Sequence, residues 1–160
     1  IMRFILTLIL SVIIFSCNPN VEFISYNSVN GSWHKDSVQE FGFSLSNFKT
    51  ESYKTHVNLR INNEYNFSNI FLIVSLRDTT NVLSRDTLQF RLADKSGKLL
   101  GNKRINLVEN SLLHKEKVSL ENNKKYFVTI EHAMRVINKI GGLEYLDGIV
   151  DVGYKVEKIN

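Results

Sequence analysis

The chain has 160 residues and a formal net charge of +4 at pH 7, and 43% of its residues are hydrophobic. This length fits one domain, and the alternation of positive and negative charges excludes the basic surface that marks nucleic-acid-binding proteins. The single cysteine, Cys17, has no partner for a disulfide, so the hydrophobic core must stabilise the domain.

The N-terminal segment has the order of a secretory signal. One cation, Arg3, precedes an apolar run of twelve residues from Phe4 to Phe15, which is too short for a membrane-spanning helix of roughly 20 residues. Ile14 to Cys17 resembles the bacterial lipobox, with an aliphatic residue three before the cysteine and the small Ser16 directly before it. A thiol at this position can carry a thioether-linked diacylglycerol.

We therefore predict a lipoprotein signal peptide at residues 1–16, a lipidated N-terminus and tether at 17–22, and a single domain at 23–160. Several acyl chains on Cys17, palmitate among them, would hold the protein on a membrane, because each buried methylene contributes about 0.8 kcal/mol. The alternative is an ordinary signal peptide followed by an incidental cysteine.

Alternation of apolar and polar residues at period two predicts the first β-strands. Val21 to Tyr26 alternates loosely, and Phe41, Phe43 and Leu45 fall on one face. The clearest alternation runs from Tyr53 to Asn62 and is typical of an antiparallel sheet with one solvated side.

The middle of the chain continues in strands separated by turns. Ile70 to Leu76 is apolar on both faces, which predicts a central strand, and Asp86 to Leu92 alternates again. Asp94 to Lys98 has the Asx and glycine chemistry of a turn. Weaker strands are predicted at Leu99 to Leu107 and at Leu112 to Leu120.

The C-terminal part adds a strand from Lys125 to Glu131, one short helix near residues 131–140 that ends at Gly141, and a closing strand from Ile149 to Lys158. Eight or nine short strands at intervals of about 8–12 residues indicate an all-β fold. We predict an antiparallel β-sandwich of the immunoglobulin-like or jelly-roll-like kind.

Five runs, in this order, together resemble the gliding motility lipoprotein family called GldH. They are Asn63 to Leu72, Asp86 to Asp94, Gly97 to Gly101, Ala133 to Arg135, and Gly148 to Lys158. The resemblance implies an outer-membrane lipoprotein of Bacteroidota that supports gliding motility and the type IX protein secretion coupled to it. It implies no catalytic residues.

The candidate site residues are few. The four histidines lack the spacing of metal ligands, and there is no nucleophile elbow or glycine-rich phosphate loop, so we predict no metal, no cofactor and no enzymatic activity. Trp33, Tyr65 and Phe67 could form an exposed aromatic surface for a sugar or a partner protein. The alternative is that these rings cover the open end of the sandwich.

The sequence thus predicts a lipid-anchored, non-enzymatic protein that works by protein–protein interaction with other gliding and secretion components. We expect neither nucleic acid nor a small molecule as ligand. No acidic run follows Cys17, which favours the periplasmic face of the outer membrane. A carbohydrate-binding or adhesin-like envelope lipoprotein is the first alternative, and a hydrolase with an unrecognised site is the second.

Overall fold

β-Strands make up the regular structure in the computed structural model, which describes residues 20–45, 51–135 and 141–159. These ranges contain no helix, and therefore none that could cross a membrane. The strands, in chain order, are Val21–Ser28 (β1), Ser32–His34 (β2), Gln39–Ser44 (β3), Glu51–Ile61 (β4), Asn69–Arg77 (β5), Val82–Arg91 (β6), Asn102–Lys103 (β7), Val108–Leu120 (β8), Lys125–His132 (β9), Tyr145–Asp147 (β10) and Ile149–Lys158 (β11).

Two antiparallel sheets pack face to face around one core. One sheet has the strand order β1-β11-β4-β8-β7, and the other has the order β3-β9-β5-β6. Alternate side chains point into the core, so Ile70, Leu72 and Val74 of β5 are fully buried while the residues between them are half-buried. Val57 and Leu59 of β4 face them from the first sheet. The predicted antiparallel β-sandwich, with β5 as a central strand, is confirmed.

Aromatic rings connect the two sheets on the side where β1 and β3 meet. The ring of Phe43 in β3 lies 5.1 Å from that of Phe23 in β1 and 6.3 Å from that of Tyr154 in β11, and it stacks on Tyr126 of β9 at 5.6 Å. Ring pairs of this kind contribute about 0.5–1.5 kcal/mol beyond the area they bury. They are part of the apolar packing that stabilises a domain without a disulfide.

The strand predicted at Leu99 to Leu107 is wrong except for the two residues of β7. Gly101 has a φ of 115°, and the backbone N–H of Arg104 donates to the carbonyl of Leu107 at 2.8 Å. A left-handed residue and a tight turn therefore interrupt what the apolar residues suggest as one strand. The next strand, β8, begins at Val108 rather than at Leu112.

The short helix predicted near residues 131–140 is not found in the part of that range that the structure describes. Strand β9 continues to His132, and the backbone N–H of Ala133 donates to the carbonyl of Phe71 at 2.8 Å. Pairing with β5 thus takes the backbone groups that a helix would need. Residues 136–140 lie outside the described residues.

The predicted tether at 17–22 ends in strand rather than in loop. Strand β1 begins at Val21, and the backbone N–H of Lys158 donates to the carbonyl of Asn20 at 2.7 Å. The predicted lipidation site, Cys17, lies outside the described residues. The chain thus enters the fold four residues after this cysteine, beside the end of the last strand.

The two ends of the sandwich differ in their connections. We call the end where β1 starts and β11 stops the near end, and the opposite end the far end. At the far end, β4 stops at Ile61, β5 starts at Asn69, and β8 starts at Val108. The two-stranded ribbon of β2 and β10 also lies there, because β10 leads directly into the start of β11 at Ile149. The far end therefore collects the longer described connections.

One glycine joins three connections at the far end. Gly148 has a φ of 87°, its N–H donates to the carbonyl of Gly31 at 2.8 Å, and its carbonyl accepts from the N–H of Asn62 at 2.9 Å. A Cβ at this position would overlap the backbone nitrogen of Tyr65. Only glycine allows the backbones to approach this closely.

Candidate functional site

The three aromatic residues predicted as a possible interaction surface belong to the core. Trp33 is 0% exposed and Tyr65 is 5% exposed, while Phe67 is half-buried with its ring 5.9 Å from that of Tyr65. The indole Nε1 of Trp33 donates to the carbonyl of Ser37 at 2.7 Å, so the polar edge of the ring is satisfied internally. An exposed aromatic surface is therefore not found at these residues, which leaves the carbohydrate-binding alternative without its best support.

A polar cluster in the interior links the two sheets. His114 of β8 contacts Asp86 of β6 through Nε2 at 3.1 Å, and Lys115 Nζ donates to the same carboxylate at 3.0 Å. On its other side, His114 Nδ1 lies 2.8 Å from the hydroxyl of Tyr154 in β11 and 3.3 Å from that of Thr55 in β4. Four strands thus contribute to one hydrogen-bonded network.

A β-bulge brings His114 and Lys115 to one carboxylate. Neighbouring residues of a strand normally point to opposite faces of the sheet. In the pairing of β4 with β8, His56 lies opposite Leu113 and the next residue, Thr55, lies opposite Lys115, so His114 is the extra residue. A bulge redirects side chains in this way, and it also breaks the period from which the strand was predicted. The sequence pattern could not have located the cluster.

The hydrogen bonds assign a neutral imidazole to His114. Burial lowers the pKa of His114, and the hydrogen bond to Asp86 offsets only part of this effect. Burial would raise the pKa of Asp86, but the hydrogen bonds from Lys115 and His114 outweigh it and hold the pKa below its usual value. A carboxylate only accepts, so His114 Nε2 donates to Asp86 and Nδ1 accepts from the Tyr154 hydroxyl.

The solvent exposure of this cluster is uneven, since the side chains of Asp86 and Lys115 are each 28% exposed. Asp86, His114 and a hydroxyl follow each other in the order of a hydrolase triad, but the side chain of His114 is 0% exposed. The imidazole of His114 and the ring of Tyr154 are both buried. We therefore assign the cluster to holding the two sheets together.

We expect the free energy of unfolding to fall as the pH drops from 7.5 to 5.5. Burial lowers the pKa of His56, His114 and His132 in the folded protein, so the unfolded chain, with histidine pKa near 6.5, binds more protons in this range. The stabilisation is complete above pH 6.5 and is lost as the pH falls towards the folded values. Each histidine contributes at most about 1.4 kcal/mol per pH unit.

Urea unfolding of the wild type and of His114→Gln at several pH values measures this dependence. The glutamine can keep hydrogen bonds to both neighbours, yet it does not titrate. The variant should show a flatter dependence on pH than the wild type, whatever its stability at pH 7.5. An equal slope in both proteins would contradict the role given to His114.

A second cluster covers the solvent face of the five-stranded sheet. Arg60 of β4 contacts Glu109 of β8 and Asp151 of β11, each at 3.4 Å, and its guanidinium lies 4.0 Å above the ring of Tyr26 in β1. The hydroxyl of Tyr26 donates to Glu109 at 3.0 Å. The hydrogen bonds and ion pairs of these groups connect four neighbouring strands. We therefore infer that the cluster stabilises the sheet.

The far end contains a cavity of about 410 Å³ beside the hairpin of β7 and β8. Apolar side chains line part of it, from Ile61 at the end of β4, Leu99, and Val108 at the start of β8. The amides of Asn62 and Asn63 and the hairpin residues Lys103, Arg104, Ile105, Asn106 and Leu107 complete the lining. Apolar lining with polar groups around it is the usual composition of a binding site.

The tip of this hairpin exposes an isoleucine. Ile105 is 100% exposed, and Leu100 on the approach to the hairpin is also exposed. Two cations, Lys103 and Arg104, directly precede the isoleucine, and all three residues line the cavity. The prediction of a strand from Leu99 to Leu107 concealed this arrangement, although Gly101 was a signal for a turn.

A second cavity at the far end, of about 480 Å³, is polar. It lies between the connections of Gly31, Asn66 and Asp147, and the hydroxyl of Ser32 donates to Asp147 at 2.6 Å. Within residues 20–45, 51–135 and 141–159, no group of three or more His, Cys, Asp and Glu side chains is arranged to hold a metal ion. The hairpin cavity differs in having Leu99 and Val108 in its lining, which makes it the better candidate for binding an apolar side chain.

Comparison with known proteins supports one assignment. A family sequence model described as GldH lipoprotein matches residues 21–156. The gliding motility lipoprotein GldH of Flavobacterium johnsoniae is 40% identical over 151 residues, which cover 94% of this chain and 93% of that protein. A GldH homolog of Christiangramia forsetii is 36% identical, with coverage of 94% and 92%.

Among solved structures, a 4-O-methyl-alpha-glucuronidase matches 91% of this chain with a TM-score of 0.47 and 13% identity. The chain spans only 18% of that enzyme, and a likeness this weak carries no argument about function. The sequence relatives, in contrast, match over nearly their whole length. They carry the name of a motility lipoprotein and not of an enzyme, and the chain belongs to the GldH family of gliding motility lipoproteins.

Proposed function

We propose that this chain is a lipid-anchored, non-enzymatic component of the gliding apparatus and of the type IX protein secretion coupled to it. It acts through protein–protein contacts at the outer membrane and faces the periplasm. The observation that carries the proposal is the 40% identity, over 94% of the chain, to a protein named as a gliding motility lipoprotein. The burial of the His114 imidazole, which is 0% exposed, supports a role other than catalysis.

The anchor is the diacylglycerol on Cys17, completed by further acyl chains. Ile14 to Cys17 supplies the lipobox chemistry, and the several chains of a bacterial lipoprotein are enough for stable attachment. Attachment raises the effective concentration of the domain for neighbours on the same membrane, so an interface of modest affinity would be occupied.

The geometry of the fold supports an orientation on the membrane. Val21, the first residue of β1, is four positions after Cys17 in the sequence, so the anchor lies at most about 14 Å from the near end. Strand β4 runs from the near end to the far end over 11 residues, which is about 35 Å. The lipid therefore holds the near end at the membrane and leaves the far end for partners.

Replacement of the anchor residue tests the proposal. In Cys17→Ser cells, palmitate labelling of the protein should be lost, the protein should leave the membrane fraction, and gliding and secretion should fail. The matched control is Ser16→Ala, which keeps a small residue before the cysteine and should leave labelling and motility intact. Unchanged labelling and fractionation of Cys17→Ser would refute the lipoprotein assignment.

A further inference from the structure

The tip of the β7 and β8 hairpin is built as a contact surface. The turn is closed by the hydrogen bond from Arg104 N–H to the Leu107 carbonyl at 2.8 Å, which holds Ile105 at its outermost point. Ile105 is fully exposed and Leu100 lies nearby in the same connection. One exposed apolar side chain is ordinary, but here it adjoins a cavity with an apolar lining.

The surroundings of this tip are positively charged. The connection from Leu92 to Leu107 contains four cations, at Lys95, Lys98, Lys103 and Arg104, against the single carboxylate of Asp94. All four cationic residues are exposed. The connection therefore carries a net positive charge, and two of its cations, Lys103 and Arg104, line the hairpin cavity.

Two carboxylates, those of Asp94 and Glu109, lie beside these cations. Asp94 Oδ1 accepts from the backbone N–H groups of Ser96 and Lys98 at 2.8 and 3.1 Å, so it is occupied within its own turn. Arg104 reaches Glu109 at 3.5 Å, but that carboxylate is shared with Arg60. Four cations thus face two carboxylates, and Lys103 makes no salt bridge with any other residue that the structure describes, so a net positive charge is left for an acidic partner.

We propose that this surface binds an acidic segment of a neighbouring envelope protein. An apolar side chain of that segment packs on Leu99 and Val108 in the cavity, its carboxylates face Lys103 and Arg104, and Ile105 packs into the partner. Complementary charge gives such contacts their specificity and rate of association. The inference deepens the proposed function and rests on it.

The placement at the far end selects a protein over a lipid. Basic residues with an exposed apolar side chain can also bind an anionic membrane surface. However, a lipid on Cys17 holds the near end at the membrane, and the length of β4 places the hairpin about 35 Å further away. When β4 stands away from the membrane, the hairpin is clear of the bilayer that carries the anchor and open to a protein on the same membrane.

Photo-cross-linking in intact cells tests the inference with the full, membrane-attached chain. A benzoylphenylalanine replaces Ile105 at the far end or, as the matched control, Val82, which is exposed at the near end. We expect protein adducts from position 105 and not from position 82, and mass spectrometry should find that the attached peptide has an excess of Asp and Glu. Equal adducts at both positions, no adduct at 105, a peptide without that excess, or lipid adducts would overturn the inference.

Charge reversal provides the second arm. Lys103→Glu combined with Arg104→Glu should lower the adduct yield at position 105 about tenfold or more, because like charges then face the acidic segment. The matched control reverses two exposed cations at the near end, Lys117→Glu with Lys125→Glu, and should leave the yield unchanged. Equal yields in the two double variants would also overturn the inference.

The two proposals fail in different ways. If Cys17→Ser releases the protein and stops gliding while the charge-reversed hairpin keeps its full adduct yield, only the acidic partner is refuted. If Cys17→Ser has no effect on attachment or gliding, the proposed function fails irrespective of what the hairpin binds.

Discussion

Gly148→Ala is expected to lower the free energy of unfolding by about 3 kcal/mol or more. The φ of 87° is unfavourable for alanine, and the new Cβ would overlap the backbone of Tyr65. That backbone cannot move independently, because the adjacent Gly148 carbonyl accepts from Asn62 and the Gly148 N–H donates to Gly31. Urea unfolding followed by tryptophan fluorescence measures the loss, since Trp33 is the only tryptophan.

Gly97→Ala is the matched control for this substitution. Gly97 has nearly the same φ, 83°, but no atom lies within 4 Å of the position its Cβ would take. Gly97→Ala should therefore lower the free energy of unfolding only by the cost of placing alanine at a left-handed φ, about 1 kcal/mol. The difference between the two variants isolates the cost of the close approach at the far end. Similar losses in both would show that the three connections can separate without penalty.

Local patterns were enough for the long strands. The alternation from Tyr53 to Asn62 became β4 because one face of this strand packs on β5 and the other faces solvent. Strand β5 could be placed at the centre because Ile70 to Leu76 is apolar on both sides. In each case the period at which apolar residues recur shows which faces of the strand are buried.

The shorter features could not be predicted in the same way. Strands β2 and β10 have three residues each, which is too few to show a period, and they exist because Trp33 and Leu146 enter the core from opposite strands of the ribbon. The bulge at His114 depends on the register between β4 and β8. Such features follow from tertiary packing, which neighbouring residues in the sequence do not encode.

The candidate functional residues also fall into two groups, one predicted from a local motif and one that only the fold brings together. Lipidation at Cys17 was predicted from a local chemical motif, and it stays a prediction because this residue lies outside the described part of the chain. The far-end cavity combines Ile61, Leu99 and Val108, which lie in three separate parts of the sequence. The exposure of Ile105 depends on the turn that closes at Leu107, so it could be recognised only with the hairpin in place.

Trp33→Ala is expected to destabilise the domain by about 3–5 kcal/mol, the usual cost of removing a buried aromatic side chain. The indole packs edge-on against His132, with ring centroids 5.3 Å apart, and its Nε1 satisfies the carbonyl of Ser37. The substitution would leave a cavity and remove one of the two hydrogen bonds that the Ser37 carbonyl accepts, the other coming from Gln39 Nε2 at 2.9 Å. Thermal and urea unfolding by far-ultraviolet circular dichroism should both show the loss.

Tyr145→Ala is the control, since Tyr145 belongs to the same ribbon but is 54% exposed and contacts only the ring of His34 among the described aromatic residues. Its loss should be about 1 kcal/mol or less. If Trp33→Ala is no more destabilising than Tyr145→Ala, packing of the indole does not stabilise the far end of the core. If the expected difference is found, any loss of glycan or partner binding in Trp33→Ala reflects unfolding, and contact residues must be sought on the hairpin of Ile105 instead.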